Sequence, residues 1–199
     1  MSSRIVSTGV RAIWANDTEA DKKVIESMGH DCRRSGERPT VIAMRKITVL
    51  FVCTGNICRS PTAHVLLMHK ARAAGFNVEV DSAAISDEER GNPPDPRSVA
   101  EAKRRGIQMH THAARQVRKS DFDHFDLIVG MTAQHCAALR RLAPVGTAGE
   151  IHLFTEYADG IDGDVPDPWY GEHKDFVEVF DLIDHGIDGL LAKLQAEAR

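Results

Sequence analysis

The sequence predicts an α/β fold: a single doubly wound domain whose four-stranded parallel sheet has helices on both faces. Four short apolar runs alternate with segments whose apolar residues recur at helical spacing, a pattern typical of βαβ units. Right-handed βαβ units place their strands in one parallel sheet that helices cover on both faces. The chain has 199 residues, which suits one such domain and leaves little room for a second.

The strands are predicted from runs of apolar and β-branched residues. They span 47–52, 78–81, 127–131 and 151–154. The first run leads directly into Cys53, which therefore lies at the carboxyl edge of the sheet, where ligands of α/β proteins bind. The pattern alone leaves the order of the strands open.

The first two helices have recognisable ends. Residues 61–74 carry apolar side chains at helical spacing and stop at Gly75. Asp95 precedes a proline and is a suitable N-cap for a second helix, which Gly106 ends.

Two further helices follow in the second half of the chain. Thr132 can cap a helix through Leu142, and Pro144 stops it. The last helix has an apolar stripe that indicates core packing. The stripe consists of Phe176, Phe180, Ile183, Ile187, Leu190 and Leu194.

Composition excludes several classes of function. The formal net charge is −4, so the chain has no basic excess of the kind that binds nucleic acid. Four cysteines, two of them in one loop, fit neither a disulfide scaffold nor paired zinc ligands. No apolar run has the length of a membrane span, and the first thirty residues lack the apolar stretch of a signal peptide. We therefore expect a cytoplasmic protein without metal or cofactor.

Residues 1–44 are interpreted separately from the domain at 45–199. They are polar and rich in breakers, and they include the charged stretch 17–23. The expectation is an extension that is either a disordered or loosely docked arm or not native, in which case the protein begins at Met44.

The segment from Cys53 to Ser60 is the most informative motif. Asn56 and Gly55 permit a positive φ, and Pro61 suits the first turn of a helix. A strand, a tight turn and a helix N-terminus in succession form a phosphate-binding loop, which also favours a cysteine thiolate. The candidate phosphate-binding residues are Thr54, Gly55, Asn56, Ile57, Cys58 and Arg59.

Several segments resemble, in the same order, those of the low-molecular-weight protein tyrosine phosphatases. The resemblance extends from about residue 45 to the C-terminus, and it is carried by 52–61, 81–84, 91–97, 114–117 and 167–171. It implies the sheet order 2-1-3-4. It also implies hydrolysis of phosphotyrosine in proteins, with release of inorganic phosphate, through a cysteinyl-phosphate intermediate.

The resemblance assigns three catalytic roles. Cys53 is the nucleophile, Arg59 clamps the phosphate, and Asp167 is the general acid and base. Without the resemblance, an aspartate before a proline in this loop is more often a turn former. Asp162 and Asp164 are read as solvated loop charges.

Supporting roles follow from the same resemblance. Ser60 donates a hydrogen bond to the nucleophile, and Ser82 and His112 hold Asn56 in a left-handed conformation. Trp169 and Tyr170 form an aromatic wall for a phenyl ring. Cys58 protects the nucleophile by forming a reversible disulfide with it.

The histidines suggest no metal site. His110 and His112 flank Thr111, but no carboxylate or cysteine stands at a useful spacing. The other histidines are expected at the surface.

Some positions keep alternatives open. Thr54 is similar to the threonine of the related bacterial arginine phosphatases, although the paired aromatics at 169–170 favour phosphotyrosine. Glu88 and Thr132 also depart from common family residues. Arsenate reduction uses the same fold but needs a close downstream cysteine pair, and only Cys136 lies downstream. A catalytically inactive phosphate-binding module is the third alternative.

Overall fold

The sheet has four strands that pair in parallel in the order β2-β1-β3-β4, which confirms the predicted order. The structure, a computed structural model, describes residues 46–198. The prediction for residues 1–44 therefore lies outside the described residues. The strands are β1 (Ile47–Cys53), β2 (Val78–Ala84), β3 (Leu127–Gly130) and β4 (Glu150–Leu153).

Five α-helices and one 3-10 turn connect or follow these strands in the described part of the chain. They are α1 (Arg59–Ala73), α2 (Pro96–Arg104), α3 (Asp121–His124), α4 (Ala133–Leu142), the 3-10 turn Phe154–Tyr157 and α5 (His173–Glu197). The sequence analysis missed α3 and the 3-10 turn because four residues are too few to show a period. Among residues 46–198, no helix combines the length and apolar character that crossing a bilayer requires.

Strand β1 is buried on both faces and positions the site. Val49 and Phe51 pack with α1 and α5 in one apolar cluster, while Leu50 and Val52 pack with a second cluster on the other side of the sheet. A strand enclosed on both faces is held firmly along its length. Strand β2 is longer than predicted because its pairing with β1 continues to Cys53 and Ala84. Cys53 is therefore held in register at the end of the sheet.

His64 is buried, so the prediction that the remaining histidines lie at the surface is wrong for this residue. It lies in α1, is buried, and its ring centre is 4.2 Å from that of His110. The Nδ1 atoms of both rings are buried without a hydrogen-bond partner. Burial, with the neighbouring charge of His110, lowers the pKa of His64 to about 3. The His64 imidazole is therefore neutral in the folded protein at neutral pH.

This burial predicts a loss of stability in mild acid. The unfolded chain binds a proton on His64 near pH 6.5, whereas the folded chain does so only near pH 3, so the free energy of unfolding falls as the pH drops between these values. The contribution approaches about 1.4 kcal/mol per pH unit. Urea unfolding at pH 7, 6 and 5 measures it.

The matched controls are two substitutions in the same helix. His64→Gln should flatten the dependence on pH, whereas His69→Gln, at an exposed position, should leave it as in the unmodified protein. Equal slopes for His64→Gln and the unmodified protein would contradict the prediction.

Candidate active site

The phosphate loop, residues 53–59, connects β1 to α1 at the carboxyl edge of the sheet. Cys53 ends the strand and is only 2% exposed, and Arg59 begins the helix. The loop amides thus precede a helix N-terminus, whose positive dipole end favours an anion. This is the place that the sequence predicts for a phosphate.

The Cys53 sulphur lies among hydrogen-bond donors. The backbone N–H of Asn56 donates to Sγ at 3.2 Å, and the Ser60 hydroxyl lies 3.0 Å from Sγ. The Asn56 side-chain amide donates to Ser60 Oγ at 2.9 Å. The Ser60 hydroxyl has two acceptors within reach, the sulphur at 3.0 Å and the Ala83 carbonyl at 3.5 Å, and the sulphur is the nearer one. The Asn56 N–H and the Ser60 hydroxyl both stabilise negative charge on the Cys53 sulphur.

Asn56 is held in a left-handed conformation, with φ of 59°. Its side-chain amide donates to Ser82 Oγ at 2.9 Å, and its Oδ1 accepts from the backbone N–H of Arg115 at 3.1 Å. His112 Nε2 lies 2.9 Å from the Asn56 carbonyl oxygen. The network thus includes the predicted Ser82 and His112, together with a backbone donor that the sequence did not indicate. Of the two loop residues that permit a positive φ, Asn56 adopts one and Gly55 does not.

Arg59 is 4% exposed and links the phosphate loop to the segment around Asp167. Its Nη2 donates to Asp167 Oδ2 at 2.5 Å and lies 3.4 Å from Thr54 Oγ1, and its Nη1 donates to the Val165 carbonyl at 3.3 Å. Nε is buried without a hydrogen-bond partner. An unsatisfied buried donor costs about 1 to 3 kcal/mol, so a ligand oxygen that reached this N–H would recover part of that cost.

Asp167 lies at the mouth of the site, with 46% of its side chain exposed. Its Oδ1 accepts a hydrogen bond from the backbone N–H of Trp169. The two aromatic side chains that follow are exposed, Trp169 to 40% and Tyr170 to 96%, so part of each ring is accessible to a substrate.

His135 is a site residue that the sequence analysis placed at the surface. It is buried in the first turn of α4, where its Nε2 lies 3.0 Å from Thr54 Oγ1. Burial, followed by the charge of Arg59, lowers its pKa to about 4. The ring is thus neutral at neutral pH and fixes the Thr54 hydroxyl beside the guanidinium. Its position three residues after the N-cap Thr132 is the signal that could have indicated this orientation.

Asp164 lies in an exposed loop, in agreement with its interpretation as a solvated charge, and it also has a structural contact. The residue is exposed, but its Oδ1 accepts from the backbone N–H of Ala133 at 2.6 Å, at the start of α4. The adjacent Val165 N–H donates to the Met131 carbonyl. These bonds fasten the segment that carries Asp167 to the end of β3.

Cys58 is buried and free in the phosphate loop. Burial, and next the charge of Asp95, raises the pKa of its thiol. The two thiols of the loop therefore have different surroundings, since only Cys53 accepts the donors described above. Reversible disulfide formation between them stays a prediction.

Comparison with known proteins agrees with this geometry. The sequence model of the family described as low molecular weight phosphotyrosine protein phosphatase matches residues 48–199. The low molecular weight protein-tyrosine-phosphatase of Streptomyces coelicolor is 40% identical over 155 residues, which cover 75% of this chain and 94% of that protein. The low molecular weight phosphotyrosine protein phosphatase of Homo sapiens is 42% identical over 137 residues, with coverage of 67% and 86%.

A solved structure shows the same fold. The crystal structure of YfkJ from Bacillus subtilis is similar with a TM-score of 0.73 and 39% identity, over 78% of this chain and 98% of that one. The family match spans the strand, loop and helix that hold Cys53, as well as the segment of Asp167. From its sequence, its fold and this site, the chain belongs to the low molecular weight phosphotyrosine protein phosphatase family.

Proposed function

We propose that this protein hydrolyses phosphotyrosine in proteins through a cysteinyl-phosphate intermediate and releases inorganic phosphate. The observation that most supports this proposal is the position of the Cys53 sulphur. It lies within hydrogen-bond distance of the Asn56 N–H and the Ser60 hydroxyl at a helix N-terminus. A phosphomonoester dianion resists attack until its charge is neutralised and its leaving oxygen receives a proton. The site contains a group for each need.

In the first step the Cys53 thiolate attacks phosphorus in line with the leaving oxygen. An S–P bond forms as the P–O bond breaks, and protonated Asp167 transfers its proton to the departing phenolate. Arg59 and the loop N–H groups hold the equatorial oxygens. The buried Nε of Arg59 is a donor available for this purpose.

In the second step water replaces the sulphur. The Asp167 carboxylate takes a proton from the water while the water oxygen bonds to phosphorus. The S–P bond breaks at the same time. The products are inorganic phosphate and the regenerated Cys53 thiolate. Asp167 is again protonated, which completes the cycle.

The depth of the sulphur favours an aryl phosphate. Cys53 is 2% exposed, so the phosphoryl group has to enter the loop while the rest of the substrate stays outside. A phenyl ring holds the phosphoryl group farther from the peptide backbone than a serine side chain does, and it can stack on the exposed Trp169 or Tyr170 rings. These features support phosphotyrosine over aliphatic phosphomonoesters.

A peptide panel tests the substrate. Peptides of one sequence carrying phosphotyrosine, phosphoserine or phosphoarginine are compared by kcat/KM on the full chain, and arsenate reduction with thioredoxin is measured in parallel. We expect phosphotyrosine to exceed the others by up to about tenfold from stacking alone, since one good aromatic contact contributes about 0.5 to 1.5 kcal/mol beyond burial. If phosphoarginine were preferred, Thr54, together with its partner His135, would instead be the residue that determines specificity. Arsenate turnover without phosphatase activity would overturn the proposal.

A further inference from the structure

Arg97 is a charged residue near the site to which the proposed reaction gives no role. It follows the N-cap of α2, where Asp95 Oδ1 accepts from the Arg97 backbone N–H at 2.8 Å. The guanidinium also forms two bonds to this carboxylate, Nε to Oδ1 at 3.0 Å and Nη2 to Oδ2 at 2.8 Å. A two-bond pair of this kind fixes the orientation of an arginine more firmly than a single contact does.

The same guanidinium holds the acid loop, residues 167–171. Arg97 Nη1 donates to the Gly171 carbonyl at 3.1 Å, and Nη2 donates to the Trp169 carbonyl at 3.2 Å. Its centre lies 4.2 Å from the centre of the Phe176 ring in α5 and 5.9 Å from that of Trp169. The acid loop is thus bound at two and four residues after Asp167.

Asp95 connects this assembly to the phosphate loop. Its backbone N–H donates to the Ile57 carbonyl at 2.8 Å. Phe176, beneath the guanidinium, packs against Ile57 and Cys58 in one apolar cluster. A continuous path of bonds therefore runs from the loop that binds phosphate, through Asp95 and Arg97, to the loop that carries the acid.

We propose that Arg97 is a positioning residue that sets the acid loop in register with the phosphate loop, so that Asp167 can reach the leaving oxygen. The inference rests on the proposed role of Asp167. Arg97 forms no hydrogen bond to Asp167 itself; within the described residues it reaches the acid loop through the Trp169 and Gly171 carbonyls and the Trp169 ring. Its loss should therefore impair proton donation and leave the thiolate attack intact.

Substrates with different leaving groups distinguish a loss of proton donation from a loss of thiolate attack. Phenyl phosphate releases a weakly acidic phenol and needs the acid, whereas 2,4-dinitrophenyl phosphate releases a phenolate that leaves without a proton. We expect Arg97→Met to lower kcat/KM by about 10- to 100-fold on phenyl phosphate, since small displacements of a catalytic group have effects of this size. On the dinitrophenyl ester the loss should stay within about threefold. Both substrates present one phenyl ring, so any effect on the Trp169 contact largely cancels in the ratio.

Arg105 provides a matched control at the other end of α2. Its guanidinium lies 4.4 Å from the centre of the Phe180 ring and pairs with Glu101 and with Asp181 of α5. It therefore also connects α2 to α5, but away from the acid loop. Arg105→Met should change kcat/KM on the two substrates by the same factor.

A second pair of variants keeps the test decisive. In the Asp167→Asn background, Arg97→Met should produce no further selective loss on phenyl phosphate. Should Arg97→Met not fold, Arg97→Lys retains the charge beside Asp95 but cannot serve that carboxylate and two carbonyls together, and it should show the same selectivity. Equal losses on both substrates, or a selective loss that persists in the Asp167→Asn background, would overturn the role of Arg97. If the unmodified protein hydrolyses neither ester, the proposed function itself fails.

Discussion

Cys53→Ser should abolish phosphatase activity, with a loss of kcat on the order of 10⁴-fold or more, as expected for removal of a nucleophile. The serine hydroxyl is close in size to the thiol but is not ionised at neutral pH. The donors around this position, the Asn56 N–H and the Ser60 hydroxyl, favour an anion that serine does not supply. Initial rates with a phosphotyrosine peptide measure the loss.

A labelling experiment separates chemistry from binding. Rapid denaturation of the unmodified protein with labelled substrate at alkaline pH, where the S–P bond is stable, should trap phosphate on Cys53, and Cys53→Ser should remain unlabelled. Inorganic phosphate should still protect Cys53→Ser against thermal unfolding, because Arg59 and the loop N–H groups are unchanged. Cys136→Ser is the control, since this buried cysteine lies outside the phosphate loop and its Sγ donates to the His152 carbonyl. Label on another residue, or full activity of Cys53→Ser, would refute the mechanism.

Asp167→Asn should lower kcat/KM on phenyl phosphate by about 10² to 10⁴-fold, the usual contribution of a general acid. The loss should be much smaller for 2,4-dinitrophenyl phosphate, whose leaving group needs no proton. Phosphate binding should change in the opposite direction. The Asp167 carboxylate occupies Arg59 Nη2, so removing its charge should strengthen inhibition by inorganic phosphate by about tenfold.

The neighbouring aspartate of the same segment is the control. Asp164→Asn keeps an oxygen that can accept from the Ala133 N–H and should leave both the leaving-group dependence and phosphate inhibition unchanged. Weaker phosphate inhibition in Asp167→Asn would contradict the competition between carboxylate and phosphate for Arg59. Equal losses on the two esters would contradict the acid role.

The phosphate loop was predictable because its determinants are local. A buried strand, a turn former and a helix start lie within a few residues of Cys53, and each signal depends on the nearby chain. Strand and helix alternation likewise sufficed for the fold class. The strand order came only from the family resemblance, since hydrophobic pattern does not record which strands pair.

The contacts between distant segments were not predictable from pattern. Asp167 and Arg59 are separated by 108 positions, and His135 and Thr54 by 81. His64 and His135 were expected at the surface because histidine is common there, and an amino-acid pattern does not show which polar residue a neighbouring segment will cover. The bonds from Arg97 to the Trp169 and Gly171 carbonyls involve backbone oxygens, which every residue carries and no motif records.

By itself the amino-acid sequence determined the α/β class and the place of the phosphate loop at a strand end, and its resemblance to the family singled out the cysteine and the arginine that we propose as nucleophile and clamp. The tertiary structure alone decided which distant groups complete that loop: the left-handed Asn56 with Ser82 and Arg115, the buried His135, and the Asp95 and Arg97 connection to the acid loop. The physical reason is the distance along the sequence over which each kind of signal acts. Backbone preferences and periodicity act over neighbouring residues, whereas these contacts exist only after the strands have paired and the helices have packed on both faces of the sheet.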